Sequence, residues 1–244
     1  MKIKKWNWKR IVKTTFGVIV CLIGLALIFN GQIAGLLMKE NTAKYSIDKV
    51  STKQIKKNTS NDDGNYNFAS VSAISANQVL QAQLKQNNLN VLGYIAMPDV
   101  GIDLPIFSGV GDTAMLYGAG TMKSNQVMGK GNYTLASHHV FSTLDADKML
   151  FSPLVNAKKG MTIYLTDKNK VYSYTVTQVY VVTPEHVEVL DDHVGQNEIT
   201  LVTCTDAQAT KRIIVKGELT KTNKWSKASS KQKAAFKVSQ KGIN

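Results

Sequence analysis

An uncharged run at residues 14–38 constrains this chain more than any other feature, because it is 25 residues long. Six lysine and arginine residues, and no acidic residue, precede it within residues 1–13. A helix of this length spans about 30 Å of hydrocarbon with some tilt. The positive-inside rule then places residues 1–13 in the cytoplasm and everything after about Lys39 outside, with Trp6 and Trp8 at the inner interface. We expect a single-pass protein of the cell membrane whose folded part is extracellular.

A cleaved signal peptide is the alternative, since a basic region before an apolar core is common to both. The apolar run is long and no clear Ala-x-Ala cleavage site follows it, which favours an uncleaved anchor. Residues 39–75 are polar and predict a tether that buries little apolar surface. A helix is predicted over residues 76–86, because Val79, Leu80 and Leu84 fall on one side of it.

The net charge of +13 is unevenly distributed along the chain. The excess lies in residues 1–13 and in residues 221–244, and neither segment contains an acidic residue. The residues between them carry equal numbers of basic and acidic side chains. A nucleic-acid-binding protein would instead carry a basic patch on a folded face. We therefore expect no nucleic-acid partner, and we predict that residues 221–244 form a disordered basic tail.

Short runs of β-branched, aromatic and aliphatic residues recur from residue 91 onward, bounded by Gly, Pro, Asn and Asp. This pattern is typical of an all-β barrel or sandwich, and we assign residues 76–220 to that domain. Residues 141–154 predict a short helix or turn within it. Eight strands are predicted, at residues 92–97, 102–107, 115–118, 133–138, 161–166, 171–182, 199–204 and 212–219.

The chain contains two cysteines, Cys21 in the apolar run and Cys204 beyond it, so no structural disulfide is expected. Cys204 ends one predicted strand, and a polar loop separates it from the strand that begins at Arg212. If these strands pair as neighbours, the two side chains approach each other across the loop. A positive charge beside a thiol favours the thiolate.

A third reactive group ends another predicted strand, where His138 and His139 follow each other. Side-chain alternation places them on opposite faces, so only one faces a groove, and periodicity does not say which. Cysteine, histidine and arginine at strand ends supply a nucleophile, an acid–base and an oxyanion stabiliser. His186 and His193 lie in a polar loop and are expected to be solvated rather than ligands.

Three motifs together resemble those of the class A sortases of Gram-positive bacteria, especially the streptococcal and lactococcal type. They are Thr-Leu-Val-Thr-Cys-Thr-Asp at residues 200–206, an arginine eight residues after the cysteine, and Leu-Ala-Ser-His-His at residues 135–139. The resemblance covers about residues 79–220. It implies the eight-stranded sortase β-barrel with short helices. The housekeeping class is favoured over the pilus-polymerising class, because neither an N-terminal lid nor a C-terminal membrane segment is evident.

The resemblance implies acyl transfer through a thioester on Cys204, with His138 as acid and base, His139 as its neighbour and Arg212 at the oxyanion. It implies cleavage of LPXTG sorting signals on secreted proteins between Thr and Gly, and transfer to an amine of a peptidoglycan precursor, lipid II. No cofactor is implied. Residues matching the family's groove, with Met122 as our addition, are mainly apolar: Ala136, Val182, Pro184, Val187, Val189, Thr200, Val202 and Met122.

Some class A sortases bind Ca²⁺ through carboxylates in the loop before the catalytic histidine's strand. Here that loop, residues 121–131, contains two lysines and no acidic residue, whereas Ca²⁺ takes several oxygen ligands. The acidic residues of a second loop would make half a site by themselves: Glu185, Glu188, Asp191 and Asp192. We therefore expect no metal requirement, and a second loop held by protein contacts.

Two other classes of protein share part of this pattern. A papain-like cysteine protease would need an Asn or Asp to orient the histidine and a helical setting for the nucleophile, whereas Cys204 ends a strand. A non-enzymatic, membrane-tethered adhesin or sensor fits the topology and the β domain. It does not explain a free cysteine aligned with His138 and Arg212. Reactivity of Cys204 toward a thiosulfonate reagent discriminates between these classes.

Overall fold

The computed structural model describes residues 8–61, 64–67, 74, 76–84, 89–141 and 145–237. Eight strands run through the described part of the chain: β1 (Val91–Met97), β2 (Ile102–Phe107), β3 (Ala119–Thr121), β4 (Gly131–Ala136), β5 (Thr162–Thr166), β6 (Lys170–Val182), β7 (Asn197–Cys204) and β8 (Arg212–Lys224). They close into a barrel in the order β1-β2-β3-β4-β7-β8-β6-β5. The predicted eight-stranded barrel is confirmed.

Strand pairing brings the functional candidates to one edge of the barrel. β4 runs parallel to β7, with Ala136 opposite Val202. β7 runs antiparallel to β8, with Cys204 opposite Arg212. Because these are Cα partners in adjacent strands, the backbone ladder alone sets Cys204 and Arg212 side by side. The expected approach of these two residues across the loop is therefore present.

One predicted strand is wrong. Residues 115–118 do not form a strand, because most of them belong to a helix, α5, which spans Asp112–Tyr117. The third strand follows directly at Ala119–Thr121. A four-residue apolar run does not distinguish a buried strand from a buried helical turn. Asp112 in the first turn favours the helix, since its carboxylate faces the positive end of the helix dipole.

The other α-helices in the described residues are α1 (Trp8–Ile28), α2 (Asn30–Lys44), α3 (Thr52–Ser60), α4 (Ala76–Leu84) and α6 (Ser230–Ala235). Single 3₁₀ turns connect several strands, and two of them, at Ala146–Lys148 and Ser152–Asn156, form the predicted short helical segment between β4 and β5.

α1 is, among the described helices, the one long and apolar enough to cross a membrane. Its 21 residues extend about 31 Å at 1.5 Å per residue, and none of them is buried. It ends at Ile28, whereas the predicted span continued to Met38. The last part of that span forms the start of α2, which packs on the barrel domain. Trp6, expected at the inner interface, lies outside the described residues.

Residues 39–75 differ from the predicted tether, since much of the segment is helical and packed. Ile47, which follows α2, and Ile55 of α3 are almost completely buried. The Asn58 side chain donates a hydrogen bond of 2.9 Å to the carbonyl oxygen of Val91 on the barrel. Residues 39–75 thus dock with a few large apolar side chains and a few polar contacts, which their polar composition conceals.

α4 covers most of the helix predicted at residues 76–86, and residues 85 and 86 lie outside the described residues. Val79 is fully buried, as its position on the predicted apolar side requires. Leu80 is 54% exposed, so the buried side of the helix is narrower than expected. The side chain of Leu84 is not among those described.

The predicted disordered tail is wrong for residues 221–237. β8 continues to Lys224, and α6 then begins with a capping box. The rings of Trp225 and Phe236 lie 6.0 Å apart, and Phe236 is only 1% exposed. Two widely spaced aromatic residues therefore anchor a segment whose other residues are polar or alanine. Residues 238–244 lie outside the described residues.

Candidate active site

A cavity of about 470 Å³ lies where β4 and β7 end and β8 begins. Cys204, His138 and Arg212 all line it. Its floor is formed by buried apolar side chains from a cluster that is separate from the barrel interior: Met115, Met122, Ala136, Val189, Val202 and Ile214. An apolar cavity with three convergent reactive groups can bind an extended peptide and attack one of its carbonyl groups.

Cys204 is the last residue of β7 and is partly buried. Burial raises the pKa of its thiol above the usual value, while the Arg212 guanidinium lowers it by a smaller amount and Asp206 raises it further. The expected bias toward the thiolate is therefore outweighed in the resting site. Desolvation disfavours a charged sulfur more strongly than one neighbouring cation favours it.

Arg212 is held by the loop that joins β7 and β8. Its Nη1 donates hydrogen bonds to the carbonyl oxygens of Ala209, at 2.6 Å, and Lys211, at 3.2 Å. The loop is in turn closed by Asp206, whose carboxylate accepts hydrogen bonds from the backbone N–H and the hydroxyl of Thr210. The guanidinium is thus directed by backbone carbonyls and lies close enough to Cys204 to affect its pKa.

His138 follows β4 by two residues, and backbone hydrogen bonds fix the chain around it. The N–H of Ser137 donates to the Val202 carbonyl at 3.3 Å, and the Thr203 hydroxyl donates to the Ser137 carbonyl at 2.9 Å. The carbonyl of His138 accepts from the N–H of Phe151 at 3.1 Å. The histidine is therefore held from both neighbouring segments.

The imidazole of His138 is 6% exposed, and burial lowers its pKa to about 4. Burial acts in this direction because it penalises the charged imidazolium. At neutral pH the resting site therefore holds a neutral imidazole beside a neutral thiol.

His139 also lines the cavity, so the expectation that only one of the two histidines faces it is wrong. Its Nδ1 donates a hydrogen bond of 2.7 Å to the carbonyl oxygen of Cys204, and its ring stacks on Phe141 at 4.1 Å between centroids. β4 ends at Ala136, so strand alternation no longer governs His138 and His139. His139 supports the backbone of Cys204.

Seven of the eight predicted groove residues line the cavity: Met122, Ala136, Val182, Pro184, Val187, Val189 and Val202. Thr200, the eighth, does not. It is completely buried, and its hydroxyl donates to Oδ1 of Asn132 at 2.8 Å and contacts the Val189 carbonyl at 3.4 Å. Thr200 lies on the same face of β7 as Val202, but the segment around Val189 covers it.

Comparison with known proteins identifies the family. Residues 95–220 match the family model described as Sortase domain. The chain is 53% identical to sortase A of Streptococcus agalactiae over 228 residues, which are 93% of this chain and 92% of that protein. The chain belongs to the sortase family. It is also 39% identical to sortase A of Listeria monocytogenes over 217 residues, covering 88% of this chain and 95% of that protein.

A solved structure of the Listeria monocytogenes sortase A supports the same fold. It matches with a TM-score of 0.54 and 42% identity, over 60% of this chain and 97% of that chain. The protein is accordingly a sortase of the sortase A type, a cysteine transpeptidase for surface-protein anchoring, and α1 fits a single-pass anchor.

The loop between β6 and β7 forms one wall of the sortase cavity. It contains the 3₁₀ turn Val187–Leu190, on which Val187 is 66% exposed and Val189 is buried. Exposed and buried apolar side chains thus alternate along one short turn. Val187 is free to contact a peptide, while Val189 anchors the turn to the apolar floor.

Lys123 and Asn132 hold this wall in place, and neither was predicted as a site residue. Lys123 Nζ donates to the carbonyl oxygen of Leu190 and to Oδ1 of Asp192, both at 2.8 Å. The Asn132 side chain donates to the carbonyl oxygens of Val189 and Asp191, both at 3.1 Å. An acid-free loop with lysines opposite an acid-rich loop is the sequence signal for this arrangement.

His186 and His193 are about half exposed, as expected for a polar loop, and each also contacts a carboxylate. Nδ1 of His186 lies 2.6 Å from a carboxylate oxygen of Glu188, and Nδ1 of His193 lies 2.6 Å from one of Glu198. Within the described part of the chain, no group of three or more His, Cys, Asp or Glu side chains is arranged to hold a metal ion. Each histidine of this sortase thus pairs with one carboxylate, Glu188 within the β6–β7 loop or Glu198 in β7.

Proposed function

We propose that this sortase cleaves LPXTG sorting signals of secreted proteins between Thr and Gly and transfers them to an amine of a peptidoglycan precursor, lipid II. The observation that carries the proposal is that Cys204, His138 and Arg212 line one cavity with an apolar floor. An apolar floor suits the Leu and Pro side chains of the signal. The three reactive groups suit attack on the carbonyl of its Thr.

In the first half-reaction Cys204 Sγ attacks the carbonyl carbon of the Thr residue. Arg212 and backbone N–H groups stabilise the oxyanion that develops. His138, in the imidazolium form, gives its proton to the departing Gly nitrogen. The C–N bond breaks, a C–S bond remains, and the anchored protein is held as a thioester on Cys204.

In the second half-reaction the amine of the precursor attacks the thioester carbonyl. His138, now neutral, takes the proton that the amine loses. The C–S bond breaks and the new peptide bond links the protein to the precursor. Cys204 leaves as a thiolate, so the thiolate and the imidazolium are both regenerated for the next cycle.

The resting protonation states set how much of the enzyme is ready to react. Burial raises the pKa of Cys204 and lowers that of His138. Only a minor fraction therefore carries the thiolate and the imidazolium together. Arg212 enlarges this fraction, because its charge favours the thiolate.

The catalytic domain faces outward in this proposal, with residues 1–13 in the cytoplasm. The six basic residues before the apolar run support this orientation. Protease added to intact protoplasts should remove the domain while leaving cytoplasmic proteins intact. Protection of the domain would contradict the proposed orientation but would not bear on the proposed reaction.

The reaction is tested with the full chain in detergent micelles, because α2 and α3 pack on the barrel. We expect an LPXTG peptide and an amine acceptor to give the Thr-amine product by mass spectrometry, and a peptide with the same residues in scrambled order to give none. Cleavage at a bond other than Thr–Gly, or no cleavage, would contradict the proposed substrate.

A further inference from the structure

α2, the helix that continues from the membrane-spanning segment, contacts the domain at a backbone carbonyl of α5, a helix that lines the cavity. Thr42, in its last turns, donates a hydrogen bond from Oγ1 to the carbonyl oxygen of Tyr117 at 2.8 Å. Tyr117 is the last residue of α5, and the helix also supplies Met115 to the cavity wall. The contact thus joins α2 to the segment behind the candidate active site.

The next carbonyl along the chain leads to His138. The carbonyl oxygen of Gly118 accepts a buried hydrogen bond of 2.6 Å from Oγ of Ser137, the residue before His138. A Cβ atom at Gly118 would clash with the carbonyl oxygen of Pro105, so this turn is closely packed against β2. Two consecutive carbonyls therefore each accept a hydroxyl hydrogen bond, one from Thr42 of α2 and the other from Ser137 beside the histidine.

α2 also contacts the chain that follows His138. Lys39 Nζ lies 3.3 Å from Oδ2 of Asp145, in the segment that leads from His138 toward Phe151. Both side chains are substantially exposed, so this ion pair contributes little by itself. The Thr42 hydroxyl, which is part-buried with its partner, is the stronger of the two links.

We propose that α2, through Thr42, positions His138, so that the helix leaving the membrane is part of the support of the active site. The inference rests on the proposed role of His138 in transfer. Thr42 does not line the cavity, and it acts as a positioning residue. Cys204 and Arg212 are held by the β7–β8 ladder and do not depend on α2 in this way.

The substitution Thr42→Val in the full chain tests the proposal, because it removes the hydroxyl and keeps the shape. We expect kcat for peptide transfer to fall about fivefold, the order of effect of one neutral hydrogen bond. KM for the LPXTG peptide should stay unchanged, since the apolar walls are not altered. Alkylation of Cys204 by iodoacetamide should also keep its rate. Thr42→Ser, which restores the donor, should recover kcat.

The matched control is Thr59→Val in α3, whose hydroxyl donates to the Ile55 carbonyl within its own helix. We expect it to leave kcat, KM and alkylation unchanged. Combining Thr42→Val with Ser137→Ala should lower kcat by less than the product of the two single effects, because both act on the same segment. Equal kcat values for Thr42→Val and the wild type would overturn the proposal, as would independent effects in the double variant.

A readout without turnover separates this inference from the proposed function. Burial holds the pKa of His138 at about 4, so loosening its segment should raise that pKa toward the ordinary value in an NMR titration of the Thr42→Val chain. If the wild type makes no product, the proposed function fails and the titration alone decides the inference. An unchanged titration of His138 would overturn it.

Discussion

The two walls of the cavity are built on different principles. On one side, β4, β7 and β8 place Cys204 and Arg212 through the backbone ladder. On the other, the turn Val187–Leu190 is held by side chains, with Lys123 and Asn132 bonded to its carbonyls and to its acidic end. The groups that make and break bonds lie on the side built by the strands, which we call the rigid side. The groups that contact the peptide lie on the side held by side chains. Substitutions should therefore separate kcat from KM according to the wall they affect.

The largest expected effects come from the three reactive residues. Cys204→Ala should abolish transfer, and His138→Ala and Arg212→Ala should each lower kcat/KM about a thousandfold or more, because residues that act as a unit lose most of the rate singly. Arg212→Lys should lose most activity as well, since an ammonium does not reproduce the planar fork. Steady-state transfer of an LPXTG peptide to an amine measures each loss. Substantial activity in Arg212→Ala would show that Arg212 does not stabilise the oxyanion.

Lys123 provides the sharpest test of the side-chain-held wall. Lys123→Met removes the ammonium that bonds Leu190 and Asp192 and also holds the pKa of Asp192 below its usual range. We expect KM for the peptide to rise about tenfold with little change in kcat, because two hydrogen bonds to a charged group are lost. Lys130→Met in the same loop is the matched control and should leave KM unchanged. A fall in kcat alone would contradict the division between the walls.

The way this wall is held also predicts how transfer depends on calcium. Lys123 supplies to the β6–β7 loop a positive charge of the kind that a bound cation would supply. Wild-type transfer should therefore be nearly the same in chelator and in millimolar calcium. A several-fold stimulation by the metal would show that the loops bind it. Testing Lys123→Met under the same two conditions asks whether calcium replaces the lost ammonium.

Acid should weaken the rigid side through His138. Burial lowers its pKa to about 4 when folded, against about 6.5 in an unfolded chain. The unfolded chain thus binds one more proton between these values, so the free energy of unfolding falls as pH drops through that window. The loss should reach about 3 kcal/mol, at 1.36 kcal/mol per pKa unit. Denaturant unfolding at pH 7 and pH 4.5 should show a smaller loss for His138→Gln than for the wild type.

The smallest effect is expected at His139. Its Nδ1 bonds the carbonyl of Cys204 and its ring stacks on Phe141, so it supports the nucleophile without reaching the reacting atoms in the proposed mechanism. His139→Ala should lower kcat/KM about threefold to tenfold, the order of one hydrogen bond. A dead His139→Ala beside an active His138→Ala would reverse the assignment of the two histidines.

The sequence predicted what the barrel ladder determines and missed what side chains determine. Cys204 and Arg212 were brought together correctly, because two strands joined by a short loop pair in a register that the sequence specifies. The sequence predicts a lowered pKa for the Cys204 thiol, whereas burial raises it. The burial of this thiol depends on the whole cavity, which the neighbouring residues in sequence do not determine. Lys123 was seen only as a charge in an acid-free loop, and its partner Leu190 lies 67 residues away.

The packed ends of the chain were missed for a related reason. Helix α3 and the segment after Lys224 have polar compositions, and each docks through one or two large side chains, such as Ile55 and Phe236. A window average does not register a single buried residue. The family resemblance assigns Thr200 to the groove, whereas the turn around Val189 covers it.

The most direct test of the account is the intact mass of the full chain during turnover. With an LPXTG peptide and no amine, we expect an adduct equal to the peptide's residues up to Thr, located on Cys204 by fragmentation, absent from Cys204→Ala and discharged when an amine is added. A product formed without any such adduct, or an adduct on another residue, would contradict the central claim that Cys204 carries the acyl group.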